Sequence, residues 1–376
     1  RIRTANTSRC RCACNCGWRS DMGVSRLQVE DFRCLRNVDV EFGPHVNLIE
    51  GQNASGKTSL LEAVYMLGRG RSFRSGRLTS LVRDGTTLFR IVGWLDSTTG
   101  SRVAGVSGSS HGLEAHLGGS KVRGLAELAE ALPVQNLDPN VHKLVEDGPA
   151  LRRQFLDWGV FHVEHSFISA WRRYRKANQQ RNALLRSGGS DAAVEAWEGE
   201  LAAAATAVDM ARRSYAELLQ DSARNLGMTL LGEELVCEYR RGWPQDQELS
   251  DSLRQNRRRD REYGASQLGP HRADLRLRLA GHAARGRVSR GQQKLLSAAI
   301  TLAQMRLHHE RRGEPGVLLL DDPEAELDEA RAEGLLKLAC SLPLQLFVTQ
   351  LPGRNLPLPT DTKRFHVEHG ELRRMV

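Results

Sequence analysis

At 376 residues the chain is long enough for one large domain or two ordinary ones with a sizeable core. It is 40% hydrophobic and 26% charged, an ordinary globular balance, and its longest apolar runs, near residues 316–320 and 342–348, are far too short to cross a bilayer. The net charge of +9 permits a polyanionic partner such as nucleic acid without demanding one.

Residues 1–21 hold five Arg against one Asp, nearly half of that charge, together with Cys10, Cys12, Cys14 and Cys16. Thiolates select soft metals such as zinc or copper(I). The alternating spacing nevertheless lacks the two-residue gaps of structural zinc sites, and no periodic segment surrounds it. The chain opens on Arg1, and Met22 stands immediately before the first strand-like segment. The expectation is therefore a disordered tail arising from a misassigned start, which is set aside from the fold. Cys34, Cys237 and Cys340 are scattered, as suits a reducing cytoplasm.

Residues 24–29 and 38–42 alternate as two short strands, and residues 45–49 read as a third, half-buried one. A glycine-bearing loop follows, then an apolar helical stripe through Leu60, Leu61, Val64, Met66 and Leu67. Residues 84–120 have the turn-rich pattern of a β-meander. Two long helices are expected over 167–186 and 191–226, joined by the flexible turn 187–190. Trp197, Leu201, Val208, Tyr215 and Leu219 recur as one apolar seam, so the pair reads as an antiparallel hairpin, too short for a coiled-coil arm. A basic, weakly hydrophobic stretch at 254–261 interrupts the order. Beyond it come a strand at 275–279, a helix at 292–308, a buried strand at 316–321 and another strand at 342–349.

Three constellations carry chemistry. The loop Gly51-Gln52-Asn53-Ala54-Ser55-Gly56-Lys57-Thr58, with Ser59 following, fits G-x-x-x-x-G-K-[ST] between a strand and a helix. Its glycines let backbone N–H groups wrap phosphates at a helix N-terminus, where the dipole also favours anions. Lys57 adds a charge for the β- and γ-phosphates, and the Thr58 hydroxyl suits Mg²⁺. The second is the apolar run 317–320 ending in Asp321 and Asp322, a buried parallel strand presenting carboxylates at its C-terminal edge. Asp321 is expected to hold Mg²⁺ and Asp322 to polarise the attacking water. The third is Ser289-Arg290-Gly291-Gln292 at the start of a helix. On its own it is equally a serine-capped helix; its place between the other two gives it weight.

These three in this order, followed by Glu326-Leu327-Asp328, resemble the ABC-type ATPase heads, and within them the RecF family of the SMC-like branch. The resemblance runs from Met22 to the C-terminus. It is carried by Phe32-Arg33 and the phosphate loop, Arg71-Ser-Phe-Arg74, Arg152-Arg-Gln-Phe-Leu-Asp157, Gln180-Arg-Asn-Ala183, Gly269-Pro-His-Arg-Ala-Asp-Leu275 and Ser289-Arg-Gly-Gln292. It implies an α/β fold: an ABC-type P-loop ATPase head, a mixed sheet with helices, carrying an inserted and largely helical second lobe. The expected division is 22–110 and 265–376 for the ATPase lobe and 111–264 for the insertion.

The resemblance also implies a weak ATPase acting as a switch, with ATP and Mg²⁺ as cofactors. Ser289, Arg290, Gly291 and Gln292 of one copy would close on the γ-phosphate held by Lys57 of another, with Asp328 at the shared interface. Such an ATP-dependent homodimer would bind DNA at single-strand/double-strand junctions without reading sequence. It would serve replication restart, recombination and the SOS response in the nucleoid, working with RecO and RecR to load RecA. Gln135 is the candidate for the glutamine that reaches Mg²⁺. Pro323 and Glu324 depart from the family, which usually carries small or apolar residues there.

For DNA, the exposed-looking cations are Arg172, Arg173, Arg175, Lys176 and Arg181, and Arg257, Arg258 and Arg259. His308, His309, His366 and His369 have no metal-binding context and read as surface residues. The alternative is the ATPase subunit of a membrane transporter. The long stretch between Lys57 and Ser289 argues against it, because transporter heads carry a much shorter insertion there.

Overall fold

The computed structural model describes residues 23–97, 100–325 and 327–375. The cysteine-rich tail and Glu326 lie outside the described residues. Strands β1 (Gly23–Phe32), β2 (Leu35–Glu41) and β3 (Val46–Glu50) lead into α1 (Lys57–Arg69). Strands β4 (Leu88–Ser97), β5 (Gly100–Ser109), β6 (Gly112–Leu117) and β7 (Ser120–Lys121) form the meander, followed by α2 (Leu125–Ala131) and β8 (Val134–Leu137). The helical part holds α3 (Lys143–Glu146), α4 (Pro149–Val163), α5 (Phe167–Arg186), α6 (Asp191–Leu231), β9 (Leu235–Arg240) and α7 (Leu249–Tyr263). Then come β10 (Asp274–Leu279), β11 (His282–Ala283), α8 (Arg290–Arg312), β12 (Gly316–Leu320) and α9 (Glu329–Ser341). Strands β13 (Leu344–Gln350), β14 (Lys363–Glu368) and β15 (Glu371–Arg374) complete the chain.

The sheet that positions the site has the order β15-β14-β3-β13-β12-β8, parallel throughout except for β15. Strands β3, β12 and β13 are buried along their whole length, as expected of a parallel sheet covered on both faces. Alternation along one strand feeds two cores. Leu318 and Leu320 of β12 join the cluster made with α4, α6 and α8, whereas Val317 and Leu319 join the one made with α1 and the antiparallel sheet β2-β1-β4-β5-β6-β7. Each such Leu stabilises the head by about 1.5–3 kcal/mol relative to exposure. The register pairs Gln350 with Glu50, and Leu320 with both Val348 and Leu137. The C-terminal ends of β3, β12, β13 and β8 therefore meet at one edge, the usual ligand edge of an open α/β sheet.

The helical hairpin is α5 and α6, with Ser190 capping α6 by accepting from the Ala193 amide at 3.2 Å. Its 41 residues make α6 roughly 60 Å long. Leu201, Val208, Tyr215 and Leu219 of the expected seam are buried, and Trp197 packs half-buried against the same cluster.

Two expectations are corrected. The boundary after residue 110 falls inside the β5–β6 hairpin, where Ser109 pairs with Gly112. The central sheet continues through β8, whose Gln135 pairs with Leu318, so the predominantly helical part follows residue 137. The basic stretch 254–261 is not a break but most of α7, anchored by the buried Leu249, Leu253 and Asp260. Its apolar face is only two residues wide, which is why composition alone read it as irregular.

Candidate nucleotide-binding site

The phosphate loop is strung between the buried β3 and the start of α1. Two of its residues have positive φ, Ala54 at 63° and Gly56 at 120°. Gly56 adopts a backbone that a side chain would strain. A Cβ on Gly51 would lie 2.4 Å from the Val367 carbonyl oxygen, so the close approach of the loop to β14 also demands glycine. Helix α1 begins with no side-chain cap, leaving its first amides facing the loop. Lys57 curls back to donate to the Gly51 and Gln52 carbonyls at 2.7 and 2.9 Å. Burial presses its pKa down, opposed by Asp322 and Asp321.

Thr58 and Asp321, 263 residues apart, are in direct contact. The Thr58 hydroxyl donates to the Asp321 carboxylate, with oxygens at 2.9 and 3.1 Å. Thr349, at the end of β13, donates to Asp321 at 2.8 Å and accepts from the Asp322 amide at 2.8 Å. Sequence reasoning missed Thr349, because a lone threonine in an apolar strand carries no motif. It also missed Asp138, which follows β8 and lines the same cleft as Thr58 and Asp321. Burial raises the pKa of Asp321, eased by its bonds to Thr349 and Thr58. Burial also raises Asp138, and the charge of Asp321 adds to the effect. Two desolvated carboxylates beside a hydroxyl form an all-oxygen donor set suited to a hard divalent cation. The residues present thus fit Mg²⁺, which Thr58 and Asp321 would hold.

Asp322 lines the pocket around the loop, which contains Asn53, Ala54, Gly56, Lys57, Thr58 and Ser59 in a cavity of about 900 Å³. Its φ is 48°, unusual for a residue other than glycine and more so before proline. The departure at Pro323 and Glu324 is accommodated: Pro323 is buried, Glu324 pairs with Arg354 at 3.4 Å, and Lys294 donates to the Ala325 carbonyl at 2.9 Å. Gln135 lies in the cleft wall beside Thr58 and Asp321, but its side-chain amide donates to Gln304 of α8 at 2.5 Å.

Beside the loop, Arg33 donates to the fully buried Glu62 of α1 at 2.8 and 2.9 Å and to the Ser80 carbonyl at 2.8 Å. Glu62 also takes the Ser72 hydroxyl and lies 3.7 Å from Arg74. This buried carboxylate fastens residues 72–80 along α1 and leaves Arg74 exposed over the pocket.

The signature residues lie elsewhere. Ser289 caps α8 in a reciprocal capping box: its hydroxyl accepts from the Gln292 amide at 3.3 Å, and the Gln292 side chain accepts from the Ser289 amide at 3.0 Å. Ser289 and Arg290 are exposed, and Gly291 and Gln292 half-buried. None of the four lines the cavity around Lys57. Asp328 caps α9 by accepting from the Arg331 amide at 2.9 Å and is exposed.

The DNA candidates divide. Arg172, Arg175 and Lys176 are exposed, Arg258 is 94% exposed, and Arg259 packs on Tyr263. Arg173 is exposed but tied to Glu200 at 2.7 Å. Two are corrected. Arg181 is fully buried, donating to Asp260 at 2.7 Å, Ser266 at 2.8 Å and Glu198 at 3.0 Å. Arg257 is drawn down onto Glu198 at 2.7 Å with its side chain 14% exposed. Likewise Arg152 holds Asp274 at 2.8 Å and Arg212 holds Asp157 at 2.7 Å, so three of the most diagnostic stretches of sequence are internal struts joining α4, α5, α6, α7 and β10. His308 is also corrected: it is buried, 5.4 Å from His162 between ring centroids.

A family model described as RecF/RecN/SMC N terminal domain matches residues 23–358. The chain is 42% identical over 359 residues to the DNA replication and repair protein RecF of Pseudomonas fluorescens strain Pf-5, covering 93% of this chain and 98% of that one. The chain belongs to the RecF family. It is also 42% identical to the RecF of Stutzerimonas stutzeri strain A1501, covering 93% and 97%. Among solved structures, the recombination mediator protein RecF with ATP, described as part of the RecFOR pathway, superposes with a TM-score of 0.86 at 26% identity, covering 95% of this chain and 98% of that one. An Smc head bound to the C-terminal winged-helix domain of ScpA gives a TM-score of 0.59 at 16% identity, a likeness of fold. The transporter alternative finds no counterpart among these relatives. Among the described residues, no helix is long and apolar enough to cross a membrane.

Proposed function

We propose that this chain is an ATP-dependent DNA-binding protein of replication and recombinational repair, in which nucleotide joins two copies. One observation carries the reading: Thr58 and Asp321 meet at 2.9 Å beside Lys57, while the signature at Ser289–Gln292 stands exposed and outside that pocket. A phosphate-binding half and an exposed signature half on one chain are complementary when two copies face each other. The loop residues Gly51–Ser59 grip the phosphates through backbone amides and Lys57. Thr58 and Asp321 would hold Mg²⁺, which would neutralise phosphate charge, and Gln135 would reach it only by giving up its bond to Gln304. Asp322 orients and polarises the water. Its amide is held by the Thr349 hydroxyl at 2.8 Å, and slow, switch-like hydrolysis at this position releases dimer and DNA.

Exposed Arg172, Arg175, Lys176 and Arg258, with Arg173 and Arg259 beside them, supply phosphate contacts that do not read bases. The relatives' role in a RecFOR pathway supports action with RecO and RecR ahead of RecA on gapped or junction DNA in the nucleoid. The test is a DNA-binding titration with and without MgATP. Junction DNA should bind tightly only with MgATP and wild-type Lys57, and nucleotide-independent binding would reject the reading.

A further inference from the structure

A second cleft of about 660 Å³ adjoins the nucleotide pocket, sharing Thr58, Arg74, Pro139 and Asp321 with it, and runs between the last turn of α1 and α4. Its walls carry a surplus of donors. Among the described residues, Arg69 and Arg71 have no carboxylate within ion-pair distance, and the Arg69 guanidinium lies over the Tyr65 ring, 5.7 Å from its centroid. Burial presses the Arg69 pKa down, opposed by Tyr65 and aided by Arg71, so this cation is desolvated with no carboxylate to balance it. Trp158, 4% exposed, turns an indole N–H into the structure with no acceptor. An indole can only donate.

The carboxylates in the cleft are already committed. Asp321 takes Thr58 and Thr349, and Asp138 takes the Asn140 amide at 2.7 Å and the Asn136 side chain at 3.1 Å. Behind Trp158 stand His162 and His308, whose ring nitrogens add unpartnered polar atoms and no negative charge. Two guanidinium groups without a carboxylate partner, beside a buried N–H without an acceptor, call for a compact anion with several acceptor oxygens.

We propose that this cleft is an oxyanion site that receives orthophosphate from the nucleotide pocket and conducts it out behind α1. The inference rests on the nucleotide-binding reading above. In hydrolysis the water oxygen bonds to the γ-phosphorus as the bond to the β,γ-bridging oxygen breaks. ADP keeps that oxygen with its electron pair, orthophosphate carries the oxygen and one proton from water, and the water's other proton passes by way of Asp322 to solvent. If a second copy covers the open side of the pocket, the product's way out is past Thr58 toward Arg69 and Arg71.

The experiment titrates inorganic phosphate into the full chain saturated with MgADP, by calorimetry, for the wild type, Arg71→Gln, Arg69→Gln and Trp158→Phe. One phosphate per chain is expected, bound at least tenfold more weakly by each arginine variant. MgATP affinity should stay within twofold, and phosphate release, followed with a fluorescent phosphate sensor, should lag behind bond cleavage in Arg71→Gln. Arg71 is exposed, so its substitution tests the idea even if Arg69→Gln misfolds. Unchanged phosphate affinity in Arg71→Gln, or no phosphate bound beside MgADP, overturns the inference. So does an equal loss of MgATP affinity, which would place the arginines in the nucleotide pocket. Failure of the wild type to bind MgATP at all would instead reject the nucleotide-binding reading.

Discussion

Replacing Arg181 separates a strut from a DNA contact. Its guanidinium is fully buried and is the only cation within ion-pair distance of Asp260 among the described residues, while Glu198 keeps Arg257 at 2.7 Å. Arg181→Met preserves length and most of the volume but strands the Asp260 carboxylate, whose remaining partner is the Gln267 amide at 2.9 Å. Breaking a buried pair from one side costs about 3–5 kcal/mol. Asp260→Asn keeps an acceptor for Gln267 and leaves Arg181 its bonds to Glu198 and Ser266, so its cost should be smaller, about 1–3 kcal/mol. Urea unfolding followed by helical circular dichroism measures both, since α5, α6 and α7 meet at this point. DNA affinity against salt is measured in parallel: a lost phosphate contact lowers the slope of log K against log salt by about 0.9, a lost strut leaves it unchanged. A stability loss below about 1 kcal/mol in Arg181→Met, or a changed salt slope with stability intact, would refute this assignment.

Arg258→Ala, at a 94% exposed position, should do the reverse, reducing the salt slope with no measurable change in unfolding. Gly159→Ala should destabilise the packing of α4 on α6 and α8, by about 1–3 kcal/mol or more in chemical denaturation, because the new Cβ would lie 2.1 Å from the Tyr215 hydroxyl and 2.5 Å from the Gln304 amide. Burial lowers the pKa of His308 to about 4, below its unfolded value near 6.5, so the unfolded chain binds the extra proton first. Stability should therefore fall as pH drops from about 6.5 toward 4, by about 2 kcal/mol at pH 5 from this group, with His162 adding in the same direction. His308→Phe should flatten that part of the pH profile in urea titrations.

The sheet edge was legible because its strands are short apolar runs that end in chemistry. Residues 316–321 announce burial by composition and the site by the Asp they end on, whereas 45–49, followed by the loop glycine, read as only half-buried and β3 is buried throughout, because parallel neighbours and cover on both faces are not visible in one strand. The helical hairpin was legible from period alone, and its first helix runs Phe167–Arg186 as expected. What the pattern hid is what depends on pairing across the fold. Asp138 and Thr349 enter the site only because β8 and β13 flank β12, which no local window reports. The arginine clusters misled for the same reason: Arg181 and Arg258 look alike in sequence, and carboxylates from α6 and α7 decide which is buried. His308, on a helix with charged neighbours, is turned inward against Trp158 and His162.

Sizing by multi-angle light scattering, run without nucleotide, with saturating MgATP, and with Lys57→Met, meets the central claim head-on. Two copies joined only by MgATP, and single copies of the Lys57→Met variant under the same conditions, are the predicted result. A wild-type chain that stays single in saturating MgATP while gripping duplex DNA at full strength would contradict it.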